Sequence, residues 1–169
     1  MHIFKYYIQL LKFRLSFTVV FSAVAGYLLG LEKFVLEDFL LLTTGGFLIT
    51  GSANGFNQIL EREYDGLMKR TLKRPLPSKN LSVSDALIFS SIIGLIGLYL
   101  LNQIHPEGTF FGFFSKSCVF GFLAMLLYVL SYTPLKRLSP ISIFVGAIPG
   151  AIPFLLGWVA ATDHFGLAA

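Results

Sequence analysis

The chain has 169 residues, of which 55% are hydrophobic and 13% are charged, and its mean hydropathy is +0.74. This composition excludes an ordinary soluble domain and is typical of a protein that spans a membrane. The net charge of +4 does not indicate a nucleic-acid partner, because the basic residues lie between apolar segments and form no nucleic-acid-binding motif. We therefore predict an all-α, polytopic membrane protein with a single membrane domain over residues 1–169.

Five apolar segments each have close to the roughly 20 residues that cross a bilayer. The predicted spans cover residues 15–31, 39–60, 86–104, 117–135 and 141–161. Eleven of the thirteen Lys and Arg residues lie before the first span, in the second loop or in the fourth loop. By the positive-inside rule these segments are cytoplasmic. We therefore expect a multi-pass protein with a cytoplasmic N-terminus.

The second loop, about residues 62–80, is the longest predicted cytoplasmic segment. We expect the second helix to continue out of the membrane to roughly Leu72, because the first proline of the loop is Pro75. Apolar side chains in this extension would let it lie over the mouth of a cavity, and a solvated turn is the alternative. These side chains are Leu67, Met68 and Leu72.

The second span ends in a column of oxygen-bearing side chains. Asn57, Glu61 and Asp65 are four residues apart, and this spacing places side chains on one face of a helix, roughly 6 Å apart along its axis. Oxygen ligands suit Mg²⁺, which commonly lies between carboxylates and the phosphates of a substrate. Polar residues at this depth are costly and normally face the bundle interior. The column predicts a metal–phosphate site; the alternative is a set of charges that only reach the interface.

Basic and aromatic residues on the same side of the membrane could bind the phosphates. Tyr132 and Lys136, again four residues apart, end the fourth span, where Pro134 frees backbone groups that could line a cavity. Taken by itself, this pair is explained as an interfacial tyrosine next to a lysine that sets membrane topology. Because the pair lies on the same side of the membrane as the acidic column, we favour a role in phosphate binding. The second loop contributes Lys69, Arg70 and Arg74, and weaker candidates for substrate binding are Asn54, Arg62 and Arg137.

Two segments carry a resemblance to a known family. NQILEREYD (residues 57–65) resembles the first acidic motif of the UbiA superfamily of intramembrane prenyltransferases, and YTPLK (residues 132–136) resembles its Tyr-x-x-x-Lys element. The flanking stretches RTLKRPLP and VGAIPGAIP resemble the branch of the family that farnesylates haem B. The resemblance extends from about Lys12 to Trp158 and implies a helical bundle of the UbiA type.

The resemblance also implies an activity and its residues. Asn57, Glu61 and Asp65 would hold Mg²⁺ and the diphosphate of farnesyl diphosphate. The departing diphosphate would be stabilised by Lys69, Arg70, Arg74, Tyr132 and Lys136. The acceptor in this branch is a vinyl group of haem B, a substrate rather than a cofactor, and the product is haem O for cytochrome oxidase. Implied partners are the lipid bilayer and haem A synthase or oxidase assembly proteins, in the bacterial cytoplasmic (inner) membrane.

The chain departs from the family in its length. It lacks the second aspartate-rich motif and is incomplete relative to nine-helix family members. We expect the N-terminal portion of a longer enzyme, inactive by itself; a truncated product, or a half that works with a partner, is the alternative. Other functions left open are an aromatic prenyltransferase of quinone or chlorophyll synthesis, a non-catalytic membrane assembly or binding subunit, and a divalent-cation carrier.

Overall fold

The computed structural model describes residues 2–107, 109–110 and 112–165. Its helical elements, in chain order, are α1 (His2–Leu10), α2 (Phe13–Gly30), α3 (Leu36–Asp65), α4 (Val83–Asn102), α5 (Lys116–Leu126), a π-helical segment (Leu127–Tyr132), α6 (Thr133–Leu135) and α7 (Ser142–Thr162). Strands β1 (Thr109–Phe110) and β2 (Phe114–Ser115) form a short antiparallel hairpin between α4 and α5.

Within the described residues, five helices are long and apolar enough to cross a membrane: α2, α3, α4, the continuous helix from α5 to α6, and α7. The prediction of an all-α, five-span protein is therefore confirmed. The sequence analysis assigned no structure to α1 or to the hairpin. Two-residue strands carry too little alternating pattern to be recognised in a sequence.

Two close helix pairs hold the bundle together. α3 packs along α4, and α2 packs along α7. A Cβ on Gly157 would overlap the carbonyl of Ala23, and a Cβ on Gly26 would overlap the carbonyl of Phe154. Small residues let membrane helices approach to backbone contact. This contact fixes the first and last of the five spans against each other.

α3 has 30 residues, which gives a length of about 45 Å against a hydrocarbon core of about 30 Å. Its C-terminal turns therefore have the length to reach the membrane boundary. The helix ends at Asp65, so the expectation that it continues to about Leu72 is wrong. The Thr71 hydroxyl donates to the Asp65 carbonyl oxygen at 2.8 Å, and residues 66–81 form successive turns instead.

The expected covering of a cavity by the apolar side chains of this loop is also wrong. Leu67, Met68 and Leu72 are 84%, 46% and 51% exposed. Thr71, Pro75 and Leu76 are buried instead, and Leu76 belongs to an apolar cluster with residues of α1, α3 and α4. The chain reversal at Thr71 turns the loop so that these residues, rather than the expected three, pack inward.

The fourth span contains an irregular turn. The Thr133 N–H donates to the Tyr128 carbonyl, which is the five-residue spacing of a π-helix. α6 follows with Pro134 in its first turn, and proline has no N–H to donate to the preceding turn. The wide turn changes the direction in which the following side chains point, and Thr133 and Lys136 both contact side chains of α3.

Candidate functional site

The three predicted ligands at the end of α3 are all buried. Asn57, Glu61 and Asp65 are 1%, 8% and 2% exposed. Carboxylates are almost never this buried unless they are paired. Burial of all three members at four-residue intervals means that the column faces the bundle interior rather than the surface.

Each carboxylate of the column contacts a cation from another segment. Asp65 Oδ2 lies 2.6 Å from Arg74 Nη1. Glu61 Oε1 lies 2.7 Å from Lys136 Nζ and 3.4 Å from a guanidinium nitrogen of Arg137. The structure thus brings the column together with three of the basic residues that the sequence analysis named.

Asn57 contacts two residues that the sequence analysis did not assign to the site. Lys12 Nζ donates to Asn57 Oδ1 at 3.1 Å, and Asn57 Nδ2 donates to Thr133 Oγ1 at 3.1 Å. The Thr133 hydroxyl donates in turn to the Tyr128 carbonyl at 2.9 Å. This chain of hydrogen bonds fixes the amide so that its oxygen faces Lys12.

Lys12 reaches Asn57 from a break between α1 and α2. Its φ is 45°, a left-handed conformation that non-glycine residues seldom adopt. Buried side chains of α2 and α3 satisfy the carbonyl groups at the break. Gln58 Nε2 donates to Leu10 O at 2.9 Å, Ser16 Oγ donates to Leu11 O at 2.6 Å, and Asn54 Nδ2 donates to both Leu11 O and Ser16 Oγ. Asn54 thus supports the break.

Lys12 is the cation whose charge the surroundings disfavour. The pKa of Lys12 is lowered to about 8, chiefly by burial. The positive charges of Arg74 and Lys136 add to the shift, and the two carboxylates of the column oppose it. Desolvation and like charges both disfavour an ammonium.

A cavity of about 660 Å³ lies between α2, α3, the fourth span and α7, a size typical of small-molecule sites. Asn54 and Tyr132 line it, together with mostly apolar side chains that include Leu15, Val19, Ile49, Met125 and Ile143. The Tyr132 ring stacks on Tyr128 with centroids 5.4 Å apart, and Lys136 Nζ lies 5.5 Å from its centroid. Tyr132 therefore links the apolar cavity to the charged cluster.

Other predicted site residues lie outside the cluster. Lys69 and Arg70 are exposed and form no ion pair with the described residues. Arg62 pairs with Glu63 at 3.0 Å on the exposed face of α3.

Arg137, in contrast, belongs to the cluster, although the sequence indicated only a weak role for it. It contacts Glu61 and lies over the Tyr64 ring at 3.9 Å.

Lys12 and Thr133 are the functional candidates that sequence reasoning missed. Thr133 lies inside the YTPLK segment, so its neighbourhood was recognised although its contact with Asn57 was not. Lys12 was used only to assign topology. No spacing in the sequence relates it to Asn57, which is 45 residues away.

A metal ion would be held by the oxygen atoms of the column. Within residues 2–107, 109–110 and 112–165, no group of three His, Cys, Asp or Glu side chains could bind a metal ion by itself. Asn57 contributes the third oxygen beside the two carboxylates, and an all-oxygen set suits Mg²⁺. Both carboxylates accept contacts from side-chain cations in this structure, so the three oxygen-bearing side chains fit such an ion where it replaces those contacts.

Residues 19–169 match the UbiA prenyltransferase family. Among curated relatives, protoheme IX farnesyltransferase of Flavobacterium psychrophilum is 45% identical over 99% of this chain and 54% of its own length. Protoheme IX farnesyltransferase of Christiangramia forsetii is 46% identical over 94% of this chain and 50% of its length. The mitochondrial protoheme IX farnesyltransferase of Arabidopsis thaliana is 41% identical over 96% of this chain and 36% of its length.

A solved structure of digeranylgeranylglyceryl phosphate synthase in membranes has the same fold, with a TM-score of 0.81 and 25% identity. The superposition covers 95% of this chain and 54% of that one. The chain thus spans about half the length of the two bacterial relatives and 36% of the length of the Arabidopsis relative. The five apolar helices and the family match together show that this is an integral multi-pass membrane protein, and that it belongs to the UbiA prenyltransferase family.

Proposed function

We propose that the complete gene product containing this chain transfers a farnesyl group from farnesyl diphosphate to a vinyl group of haem B and so makes haem O. The observation that carries this proposal is the junction of a buried, charged cluster with an apolar cavity at Tyr132. An isoprenoid diphosphate has the same two parts, a polyanionic head and an apolar tail. The choice of haem B rests on the names of the relatives.

The charged cluster suits the head group because it carries more cations than carboxylates. Arg74, Lys136 and Arg137 contact the column through its two carboxylates, and Lys12 contacts it through a neutral amide. Four cations against two carboxylates leave two positive charges uncompensated. A diphosphate would balance this excess, and charge-assisted hydrogen bonds to its oxygens are strong.

Asn57, Glu61 and Asp65 would hold Mg²⁺, which neutralises charge on the diphosphate when it is bound. Arg74, Lys136 and Arg137 would stabilise the negative charge that develops as the carbon–oxygen bond of the substrate breaks. The diphosphate leaves with the bonding electron pair, and the allylic carbon forms a bond to the vinyl group. A water molecule then adds its hydroxyl to the other vinyl carbon and releases a proton.

The apolar cavity would hold the isoprenoid chain away from water. Its lining by Leu15, Val19 and Ile49 keeps the reacting cation from premature hydration. We place the column, and with it the N-terminus, on the cytoplasmic side of the bacterial inner membrane, because most basic residues lie there. Partners such as haem A synthase or oxidase assembly proteins belong to the same proposal.

The test uses the complete gene product in membranes that lack haem O synthesis of their own. Farnesyl diphosphate, Mg²⁺, haem B and an aromatic acid are supplied, and haem O and any prenylated aromatic acid are measured by mass spectrometry. Haem O should form with the wild type and with Glu63→Gln, which alters an exposed carboxylate on the same helix. It should be lost with Glu61→Gln. Prenylation of an aromatic acid instead of haem B, or no prenyl transfer to either acceptor, would contradict the proposal.

A further inference from the structure

The break between α1 and α2 is stabilised by specific side-chain hydrogen bonds and is not a frayed helix end. Helix ends leave carbonyl groups without partners, yet here Gln58, Asn54 and Ser16 supply donors to the carbonyls of Leu10 and Leu11. All three donors are buried, at 2%, 1% and 0% exposure. Three buried polar side chains stabilise this one break. The position of the residue that follows it is therefore closely defined.

That next residue is Lys12, and its hydrogen-bond partner distinguishes it from the other cations of the cluster. Arg74, Lys136 and Arg137 each contact a carboxylate, whereas Lys12 donates to the neutral amide oxygen of Asn57. Lys12 is partly buried, and a cation that loses hydration without gaining a paired anion is costly. Lys12 is thus the cation held with the least compensation and the one that gains most from an incoming anion.

The oxygen that Lys12 contacts is also the one that Asn57 would offer to a metal ion. The amide nitrogen donates to Thr133 Oγ1, which leaves Oδ1 as the acceptor atom of this side chain. An ammonium 3.1 Å from Oδ1 and a divalent cation bound to the same oxygen would lie within a few ångströms of each other. Coulomb repulsion at that separation is strong away from bulk water, so the two cations exclude each other.

We propose that the Lys12 ammonium occupies the Asn57 end of the metal site until metal and diphosphate bind, and that it then moves from Asn57 Oδ1 to a diphosphate oxygen. The lysine stem is long and flexible, so this transfer needs side-chain rotation only. The inference rests on the metal and diphosphate part of the proposed function and is independent of the acceptor. Lys12 is thus both a competitor of the metal and a ligand of the anion.

This dual role predicts two effects of opposite sign. In Lys12→Met, the affinity for Mn²⁺ alone, measured by electron paramagnetic resonance on the complete gene product in detergent, should rise about tenfold because the competing cation is gone. The affinity for inorganic diphosphate at saturating Mg²⁺, measured by calorimetry, should fall about tenfold because a charge-assisted hydrogen bond is lost.

Two further variants separate this role from general effects of charge and folding. Lys5→Met removes the same charge from an exposed position on α1 and should change neither affinity. Lys12→Gln keeps a donor for Asn57 without a charge, so it should fold if Lys12→Met does not and should show the same pair of changes.

Only a rise in Mn²⁺ affinity together with a fall in diphosphate affinity supports both roles of Lys12. A fall in diphosphate affinity with unchanged or weaker Mn²⁺ affinity would make Lys12 an anion ligand only. Unchanged values for both would make it a structural residue. Because neither measurement contains haem or a prenyl chain, a failure to form haem O leaves this test intact, and a failed test leaves the proposed acceptor untouched.

Discussion

The two ends of the helix bundle use the same kinds of interaction to different effect. At the hairpin end, where β1 and β2 lie, Lys116 Nζ contacts the Asp163 carboxylate at 2.8 Å and its backbone carbonyl at 2.6 Å. The His105 ring lies 3.0 Å from the Ala160 carbonyl through Nε2. At the column end, described above, cations meet carboxylates at similar distances.

Charge balance and burial distinguish the two ends. The hairpin end pairs one lysine with one carboxylate, both partly exposed, and the lysine compensates the C-terminal carbonyls of α7. The column end buries two carboxylates and keeps two cations in excess. A balanced ion pair is already neutral, whereas an excess of cations favours the binding of an anion. The hairpin end therefore has the charge balance of a structural ion pair, and the excess of cations at the column end supports the binding site that we propose there.

The largest expected effect comes from replacing one paired carboxylate at each end of the bundle. Asp65→Asn should reduce farnesyl transfer by about 10²–10³-fold, because it removes a metal ligand and leaves Arg74 without its anion. Asp163→Asn, the matched change at the hairpin end, should leave the rate unchanged. Haem O formation by both variants is measured alongside membrane insertion. Near-normal turnover in Asp65→Asn would remove Asp65 from the site.

The next prediction compares the two lysines. Lys136→Met should raise the KM for farnesyl diphosphate by roughly 10- to 100-fold, which corresponds to the loss of one hydrogen bond to a charged group. Lys116→Met should leave KM as it is. Steady-state kinetics over a range of farnesyl diphosphate concentrations measure both. If KM and kcat are unchanged in Lys136→Met, the residue serves only to set membrane topology.

A smaller effect is expected from two hydroxyl groups. Thr133→Val should weaken Mn²⁺ binding about fivefold, because the Asn57 amide is then free to turn its nitrogen toward the site, and Thr133→Ser should retain it. Ser115 accepts a hydrogen bond from the Cys118 N–H at the start of α5. Ser115→Ala should lower stability without changing Mn²⁺ binding. Equal Mn²⁺ affinities in Thr133→Val and Thr133→Ser would contradict the positioning role.

The smallest effect concerns the stability of the hairpin end. Asp163 has a φ of 52°, which asparagine tolerates, so Asp163→Asn removes the charge without straining the backbone. The free energy of unfolding should fall by at most about 1 kcal/mol, as for other partly exposed ion pairs. Thermal unfolding in detergent at low and high salt measures this, and the difference should shrink in salt. A loss of several kcal/mol would mean that the ion pair at the hairpin end is as strongly coupled as the buried pairs at the column end.

The sequence predicted those features that depend on local pattern. Apolar length identified the five spans, and four-residue spacing placed Asn57, Glu61 and Asp65 on one face of α3. Charge and topology placed Arg74 and Lys136 on the same side of the membrane as the column, as phosphate-binding candidates, but their ion pairs with Asp65 and Glu61 were not predicted. Each of these inferences needs only the geometry of one helix and the sign of a charge.

Features that depend on contacts between distant segments could not be predicted. The α3 helix ends where the Thr71 hydroxyl returns to the Asp65 carbonyl. Gly66 follows Asp65 directly, but a single glycine does not by itself predict a helix end. The role of Lys12 depends on a break that α3 stabilises through Asn54 and Gln58. From the sequence Asn54 is a weak candidate for substrate binding and Gln58 is not singled out, so neither amide indicates a break between α1 and α2.

The π-helical segment has a consequence for how this chain tolerates insertions and deletions. Deleting one residue between Leu127 and Tyr132 would restore a regular α-helix and turn every later side chain of the span by about 100°. The span would still be long and apolar enough to insert, yet Thr133 and Lys136 would face away from Asn57 and Glu61. We therefore expect length changes to be tolerated far better in the β-hairpin loop than in these six residues.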